Sequence, residues 1–300
     1  MSGLEVFAQQ LINALSVGSL YALIAVGLSL IFGILRLSNF AHGDMMMIGA
    51  FATLLLQEAG LPFLAAFLLG IVASALAGLL IERVAYRPVR GAPDVTMLLT
   101  SLALTFILEN LGILLFTASP RNFPLPDWVT RPWSLAGGAV TFTNINLLSL
   151  GLALTSLAFL TWFMRRTTVG LGMRAAAEDL GAAHLVGVPV NRVIVVAFML
   201  ASAFAGLAGV LWAAQSGVVD PLMGFTPLLK AFVAAIIGGL GSLPGAVLGG
   251  YLLGALEVLI VAFLPPEFSP YRDAIVFALL IAFLLLRPGG LLNVTREVKL

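Results

Sequence analysis

Apolar runs of membrane length recur along this chain, and they constrain its fold more than any other feature. The first lies between Glu5 and Arg36, where no charged residue intervenes. Backbone in hydrocarbon must satisfy its own hydrogen bonds, so each run reads as an α-helix, and about 20 residues cross a core of about 30 Å. Further runs cover 59–81, 95–117, 145–164, 193–219, 246–264 and 271–286. Composition agrees: 61% of the 300 residues are hydrophobic and 10% charged, against about 25% charged in soluble domains. The reading is an all-α polytopic membrane helix bundle of seven full spans, in one domain covering 1–300.

Two apolar pieces are too short to cross. They cover 45–57 and 227–239, and the second is interrupted only by Lys230. Segment 119–143, with four prolines and two tryptophans, reads as the longest irregular stretch, its tryptophans at the membrane interface. If the two short pieces each change sides, the basic residues sort unevenly. Arg36, Arg83, Arg87, Arg90, Arg165, Arg166, Arg174, Arg192, Arg287, Arg296 and Lys299 fall on one side. Only Arg121, Arg131 and Arg272 fall on the other. The positive-inside rule then sets the N-terminus outside and the C-terminus in the cytoplasm. No Lys or Arg precedes Arg36, so the first run reads as a retained span and not a cleaved leader.

The short pieces resemble each other. NFAHGDMMMIGAF followed by LPFLAAFLLG parallels GFTPLLKAFVAAIIGG followed by LPGAVLGGYLLG. Phe40 matches Phe225, Leu61–Pro62 matches Leu243–Pro244, and Leu68–Leu69–Gly70 matches Leu252–Leu253–Gly254. In the assigned topology the two units run in opposite directions. Inverted repeats, each with a broken helix, are a mark of transporter cores. The sequence thus predicts two inverted repeats, about 10–117 and 145–287, with one half-length helix in each.

A helix that begins in the membrane aims free N–H groups and a positive dipole end at whatever lies before it. Asp44 reads as the N-cap of the first short helix, and Thr226 before Pro227 as the N-cap of the second. Each serves either as a plain cap or as part of a ligand site. Asn39 and His42 sit in the first break. Glu109, Lys230 and Glu257 are ionisable groups inside apolar runs, where each needs a partner or a wet cavity. Lys230 has Asp220 or Glu257 as candidate partners. Asn39, His42, Asp44, Glu109, Thr226 and Lys230 form the candidate translocation pathway. Ala201, Ala205 and Gly209, with Gly245/Gly249 and Gly250/Gly254, repeat at every fourth position and allow close helix approach.

Several chemistries are excluded or unsupported. With no cysteine, no disulfide, thiolate metal site or cysteine nucleophile is possible. A lone His42 with no second histidine nearby makes no metal site. There is no Walker A loop, G-x-S-x-G or H-E-x-x-H. No catalytic residue is expected, and no cofactor in this chain. The net charge of +1 gives no reason to expect nucleic acid.

The one long polar interval of the second half is 165–192. Arg165 and Arg166 lead into TTVGLGMRAAAEDLGAAHLVGVPVNR. Ala176, Leu180 and Ala183 recur at helical spacing, so 174–185 reads as one short helix, stopped by Gly187 and Pro189. It reads either as a partner-docking element or as a solvated helical loop.

LSNFAHGDMMMIGAF, RAAAEDLGAAHLVGV and GFTPLLKAFVAAIIGGLGSLPGAVLGG, in that order, closely resemble the membrane permease subunit of bacterial ABC importers for branched-chain amino acids. The resemblance runs from Leu15 to Leu286. It implies a multi-chain importer in the inner membrane: a second homologous permease subunit, two cytosolic ATPase subunits that use ATP, and a periplasmic substrate-binding protein. It also implies that 174–185 is the coupling helix, with Arg174, Glu178, Asp179, Leu180 and Gly181 at the ATPase contact. The wider E-A-A…G consensus is not kept literally, since Ala175–Ala176–Ala177 precedes Glu178 and Gly181 follows. A permease of the same family for urea or short amides fits the same motifs. An ion-coupled secondary transporter is a further alternative, one that would need no docking helix.

Overall fold

A computed structural model describes residues 3–36, 39–287 and 289–292; Arg296 and Lys299 of the basic tail lie outside the described residues. The first run forms α1 (Gly3–Leu35), 33 residues long and so about 50 Å, more than the hydrocarbon core requires. The chain continues through α2 (His42–Glu58), α3 (Phe63–Ile81), a π-helical turn (Glu82–Tyr86) and α4 (Asp94–Phe116). Beyond α5 (Asp127–Thr130) come α6 (Asn144–Arg166), α7 (Thr168–Glu178), α8 (Leu180–Leu185) and α9 (Val190–Ser216). Last are α10 (Phe225–Gly238), α11 (Leu243–Phe263) and α12 (Arg272–Leu286).

Helices α1 and α9 form the buried centre and run antiparallel: Tyr21 meets Trp212, and Gly27 lies beside the carbonyl of Ala201. Around them the packing repeats. Helix α1 lies on α11 as α9 lies on α3; α10 lies on α1 as α2 lies on α9; α2 touches α4 as α10 touches α12. Exchanging α1–α4 with α9–α12 therefore preserves these contacts while reversing direction. Helices α4 and α6 leave most of their apolar surface exposed, as lipid-facing helices do.

The small-residue series explain this closeness. The backbone of Gly250 packs on Ala22 and that of Gly254 on Gly18, joining α11 to α1; Gly209 packs on the backbone of Met46. The series thus serve packing inside the chain.

Three expectations change. Among the described residues six helices, not seven, have the length and apolarity of a span; α12 has 15 residues, and at 1.5 Å each falls short of the core. Segment 119–143 is not irregular. Strand β1 (Arg121–Asn122) pairs antiparallel with β4 (Val218–Val219), and β2 (Pro132–Leu135) forms a hairpin with β3 (Val140–Thr143). Gly137 and Gly138 turn that hairpin at φ 67° and 98°, where a side chain would be strained. Third, 174–185 is not one helix. Its backbone opens at Asp179 (φ −155°, ψ 115°), whose carboxylate accepts the Ala182 N–H at 2.8 Å and so caps α8.

The bundle has two distinct faces. One carries the start of α1, the hairpin and the 266–271 turn, and Gln9 bonds to Thr141 there. The opposite face carries the end of α1, the π-turn, α7 and α8.

Candidate functional site

The sequence-predicted pathway residues fall into two groups, both built around the starts of the half-length helices. The first group gathers at α2. Neither expected cap exists: α2 begins at His42 after Ala41, and α10 begins at Phe225 after Gly224, with no side-chain cap bond at either. Asp44 and Thr226 instead lie inside the first turns. Tertiary packing sets these starts, because the backbones of Gly43 and Gly224 abut and hold the two helix beginnings against each other.

Asn39 is buried and its Oδ1 accepts the Tyr86 hydroxyl at 2.7 Å. The Phe40 N–H donates to Ser101 Oγ of α4 at 2.6 Å. The His42 ring is fully buried against Gly27, and neither nitrogen has a hydrogen-bond partner among the described residues. Asp44 is also buried; it faces Thr105 and half-buried Glu109 on α4, and its Oδ2 makes no hydrogen bond. The π-turn braces this group from behind. Buried Glu82 pairs with Arg90, which donates to Asn191 at the start of α9 at 2.7 Å. Partial burial draws the Arg90 guanidinium below its ordinary value, and the Glu82 carboxylate opposes the shift.

The second group surrounds a chamber of about 340 Å³ between α1, α9, α10, α11 and α12. Lys230 is 2% exposed. Its Nζ donates to Glu257 Oε1 at 2.9 Å and stands 3.0 Å from Asp273 Oδ1. Glu257 Oε2 accepts the Tyr21 hydroxyl at 2.6 Å. Arg272 closes the set, with Nε 3.2 Å from Asp273 Oδ1 and Nη2 3.6 Å from Glu257 Oε1. Two cations and two carboxylates thus balance, which is how charge is tolerated in an apolar bundle. Of the two partners expected for Lys230, Glu257 is the real one. Asp220 instead accepts the Leu222 N–H at 2.9 Å in its own turn. Thr226 lines the chamber with Lys230.

Tyr21, Tyr86, Ser101, Arg272 and Asp273 were not singled out from the sequence. The last two stand at the polar start of α12, where charge needs no explanation. Tyr21 is one aromatic among apolar neighbours and carries no local signal.

On the opposite face, Thr167 caps α7 through the Gly170 N–H at 2.9 Å. Arg174, Glu178, Asp179 and Gly181 are exposed and Leu180 is half-buried, while Met173, Ala176 and Ala183 anchor the two helices. Glu178, Asp179, Leu180 and Gly181 share a cavity of about 280 Å³ with Arg36. Arg36 ends α1 at φ 53°. At the end of α8, Leu185 and Val186 are 88% and 78% exposed. Among the described residues no cluster of His, Cys, Asp and Glu could hold a metal ion.

Comparison with known proteins adds the family. The model of the branched-chain amino acid transport system permease component matches residues 10–284. The high-affinity branched-chain amino acid transport system permease protein LivH of Salmonella typhimurium is 37% identical over 299 residues, covering 96% of each chain. BraD of Pseudomonas aeruginosa, described in the same words, is 40% identical over 302 residues, again with 96% of each chain covered. LivM of Salmonella typhimurium, also a permease protein of such a system, is 30% identical over 307 residues, covering 94% of this chain and 70% of its own.

Proposed function

Because the chain belongs to the family of branched-chain amino acid transport system permease components, we propose that it is the membrane-spanning subunit of an ATP-driven importer of branched-chain amino acids. The observation that carries the reading is identity of 37–40% spread over 96% of the chain to LivH and BraD. Substrate arrives on a periplasmic binding protein, and two cytosolic ATPases use the ATP. A second permease subunit, homologous to this one, completes the pathway. That LivH and LivM both resemble this chain supports such a pairing.

The α7–α8 face lies in the cytoplasm and the N-terminus outside, in the bacterial inner membrane. The excess of basic residues on the α7–α8 side supports this orientation. Arg174, Glu178, Asp179, Leu180 and Gly181 take up the movement of the ATPases. Helices α7 and α8, a lever at this face, pack on α1 and α9, the two helices at the centre of the inverted repeats, so their displacement rocks one repeat against the other. The pathway runs by the starts of α2 and α10. The chain holds no cofactor of its own.

Reconstitution tests this. Proteoliposomes holding this chain with its companion permease, ATPases and binding protein take up leucine, isoleucine and valine only with ATP and the binding protein. Uphill uptake by this polypeptide alone on an ion gradient would overturn the proposal.

A further inference from the structure

The chamber between α1, α9, α10, α11 and α12 is lined by charged, uncharged polar and apolar side chains together. Its volume of about 340 Å³ lies within the range of about 300–1,000 Å³ typical of small-molecule pockets. Val17, Leu20 and Trp212 supply apolar lining. Among the polar groups the buried charges are committed: both Glu257 oxygens are engaged, one by Lys230 and one by Tyr21.

The outer two charges are not fully used. Arg272 and Asp273 have side chains 42% and 41% exposed. Asp273 Oδ1 accepts from Arg272 Nε and also forms the ion pair with Lys230. Its Oδ2 makes no hydrogen bond or ion pair among the described residues. Arg272 spends Nε on Asp273, and its Nη2 reaches Glu257 only at 3.6 Å, beyond hydrogen-bond length. A guanidinium with spare coplanar donors suits a carboxylate, and a free carboxylate oxygen suits an ammonium. The two residues are adjacent in sequence, and Val17, Leu20 and Trp212 line the same chamber.

We propose that this chamber is a binding site for zwitterionic α-amino acids, with the α-carboxylate on Arg272, the α-ammonium on Asp273 Oδ2 and an aliphatic side chain against Val17, Leu20 and Trp212. The proposal rests on the transport reading and deepens it. The permease itself inspects the head group, and urea or a short amide, lacking the carboxylate, is not held.

The cysteine-free sequence makes the test direct. Thr226→Cys puts a single thiol on the chamber wall, and Ser134→Cys puts one on the exposed hairpin as a control. Each is made in the full transporter complex, purified in detergent without binding protein or ATP, and labelled with a maleimide. L-leucine slows labelling at 226 and leaves 134 unchanged. Leucinamide, 4-methylpentanoate and urea protect at least about tenfold less well, the loss of one charge-assisted hydrogen bond. Arg272→Gln in the 226 background removes the protection, while unchanged labelling at 134 and co-purification of all subunits show that the variant is assembled. Arg272→Lys, which keeps the charge and loses the fork, restores part of it. Equal protection by leucine and leucinamide, or protection that survives Arg272→Gln, overturns the site. So does an absence of protection in a complex that still imports leucine with ATP, and that result leaves the transport reading standing. A complex that imports urea and no amino acid removes the transport reading itself.

Discussion

Gly43, in the first turn of α2, lies backbone to backbone against Gly224, the residue before α10. A Cβ built on Gly43 would sit 2.7 Å from the Gly224 carbonyl oxygen and 3.1 Å from Leu228 Cβ. Both obstacles belong to the other repeat, and one is main chain, so neither yields cheaply. Gly43→Val should therefore destabilise the fold by about 1–3 kcal/mol, the cost of overpacking. The thermal unfolding midpoint in detergent should drop. Gly151→Ala is the control, since nothing lies within 4 Å of a Cβ there, and its midpoint should stay or rise.

Lys230 bridges Glu257 and Asp273 from inside the bundle. Replacing it with Met strands the buried Glu257 carboxylate, which keeps only Tyr21 and the longer Arg272 contact, while Asp273 keeps Arg272 and water. Removing one partner of a buried ion pair costs about 3–5 kcal/mol. Lys230→Met should thus unfold at clearly lower temperature and transport less. The double variant Lys230→Met/Glu257→Gln removes the stranded charge with its partner and should recover part of the midpoint. If both variants unfold alike, the pair is not coupled.

The legibility of this network in the sequence was uneven, for physical reasons. Lys230 and Glu257 stand out because a charge in an apolar run is expensive wherever it points. Arg272 and Asp273 do not, because the end of a run is where charges belong. Hydropathy makes six spans legible but also admits α12, whose 15 helical residues are too few for a seventh. The helix starts differ from the local expectation: Asp44 and Thr226 satisfy the capping rule, whereas contact between Gly43 and Gly224, far apart in sequence, decides where the helices begin. The hairpin had its signals, the Gly137–Gly138 turn and the alternating Val140–Thr143, but the four prolines around them read as irregular chain. At Asp179 the alanine periodicity ran straight through a residue that is itself a strong N-cap.

That break gives Asp179 a role separable from its charge. Its side chain caps α8, which has six residues and is too short to hold itself as a helix. Asp179→Ala should cost about 0.5–2 kcal/mol locally, enough to fray α8. Uptake driven by ATP should fall while membrane insertion is unchanged. Asn caps as well as Asp, so Asp179→Asn should restore uptake if capping is what matters. Failure of Asn to rescue would assign the residue to an ionic contact. Glu178→Lys, which reverses a charge on the exposed side of α7, should uncouple ATP hydrolysis from uptake in the intact complex; unchanged uptake would remove Glu178 from the coupling role.

Leu185 and Val186 stand almost bare at the tip of the lever, 88% and 78% exposed. Leu185 ends α8 and Val186 caps it, at the far end from where lipid-facing α6 leads into the lever. Apolar side chains at the tip of a polar segment suit a groove in a partner, where burying a leucine contributes about 1.5–3 kcal/mol. Leu185→Asp replaces that contribution with a charge to be desolvated. The variant should insert and fold with an unchanged midpoint, since Leu185 makes little contact within the chain, but its ATPase subunits should be lost on affinity purification. Leu185→Met, which preserves volume and apolarity, should retain them. Should Leu185→Asp hold its ATPases as firmly as the parent, the tip does not lie in the interface and the docking surface must be sought along Arg174, Glu178 and Asp179 alone.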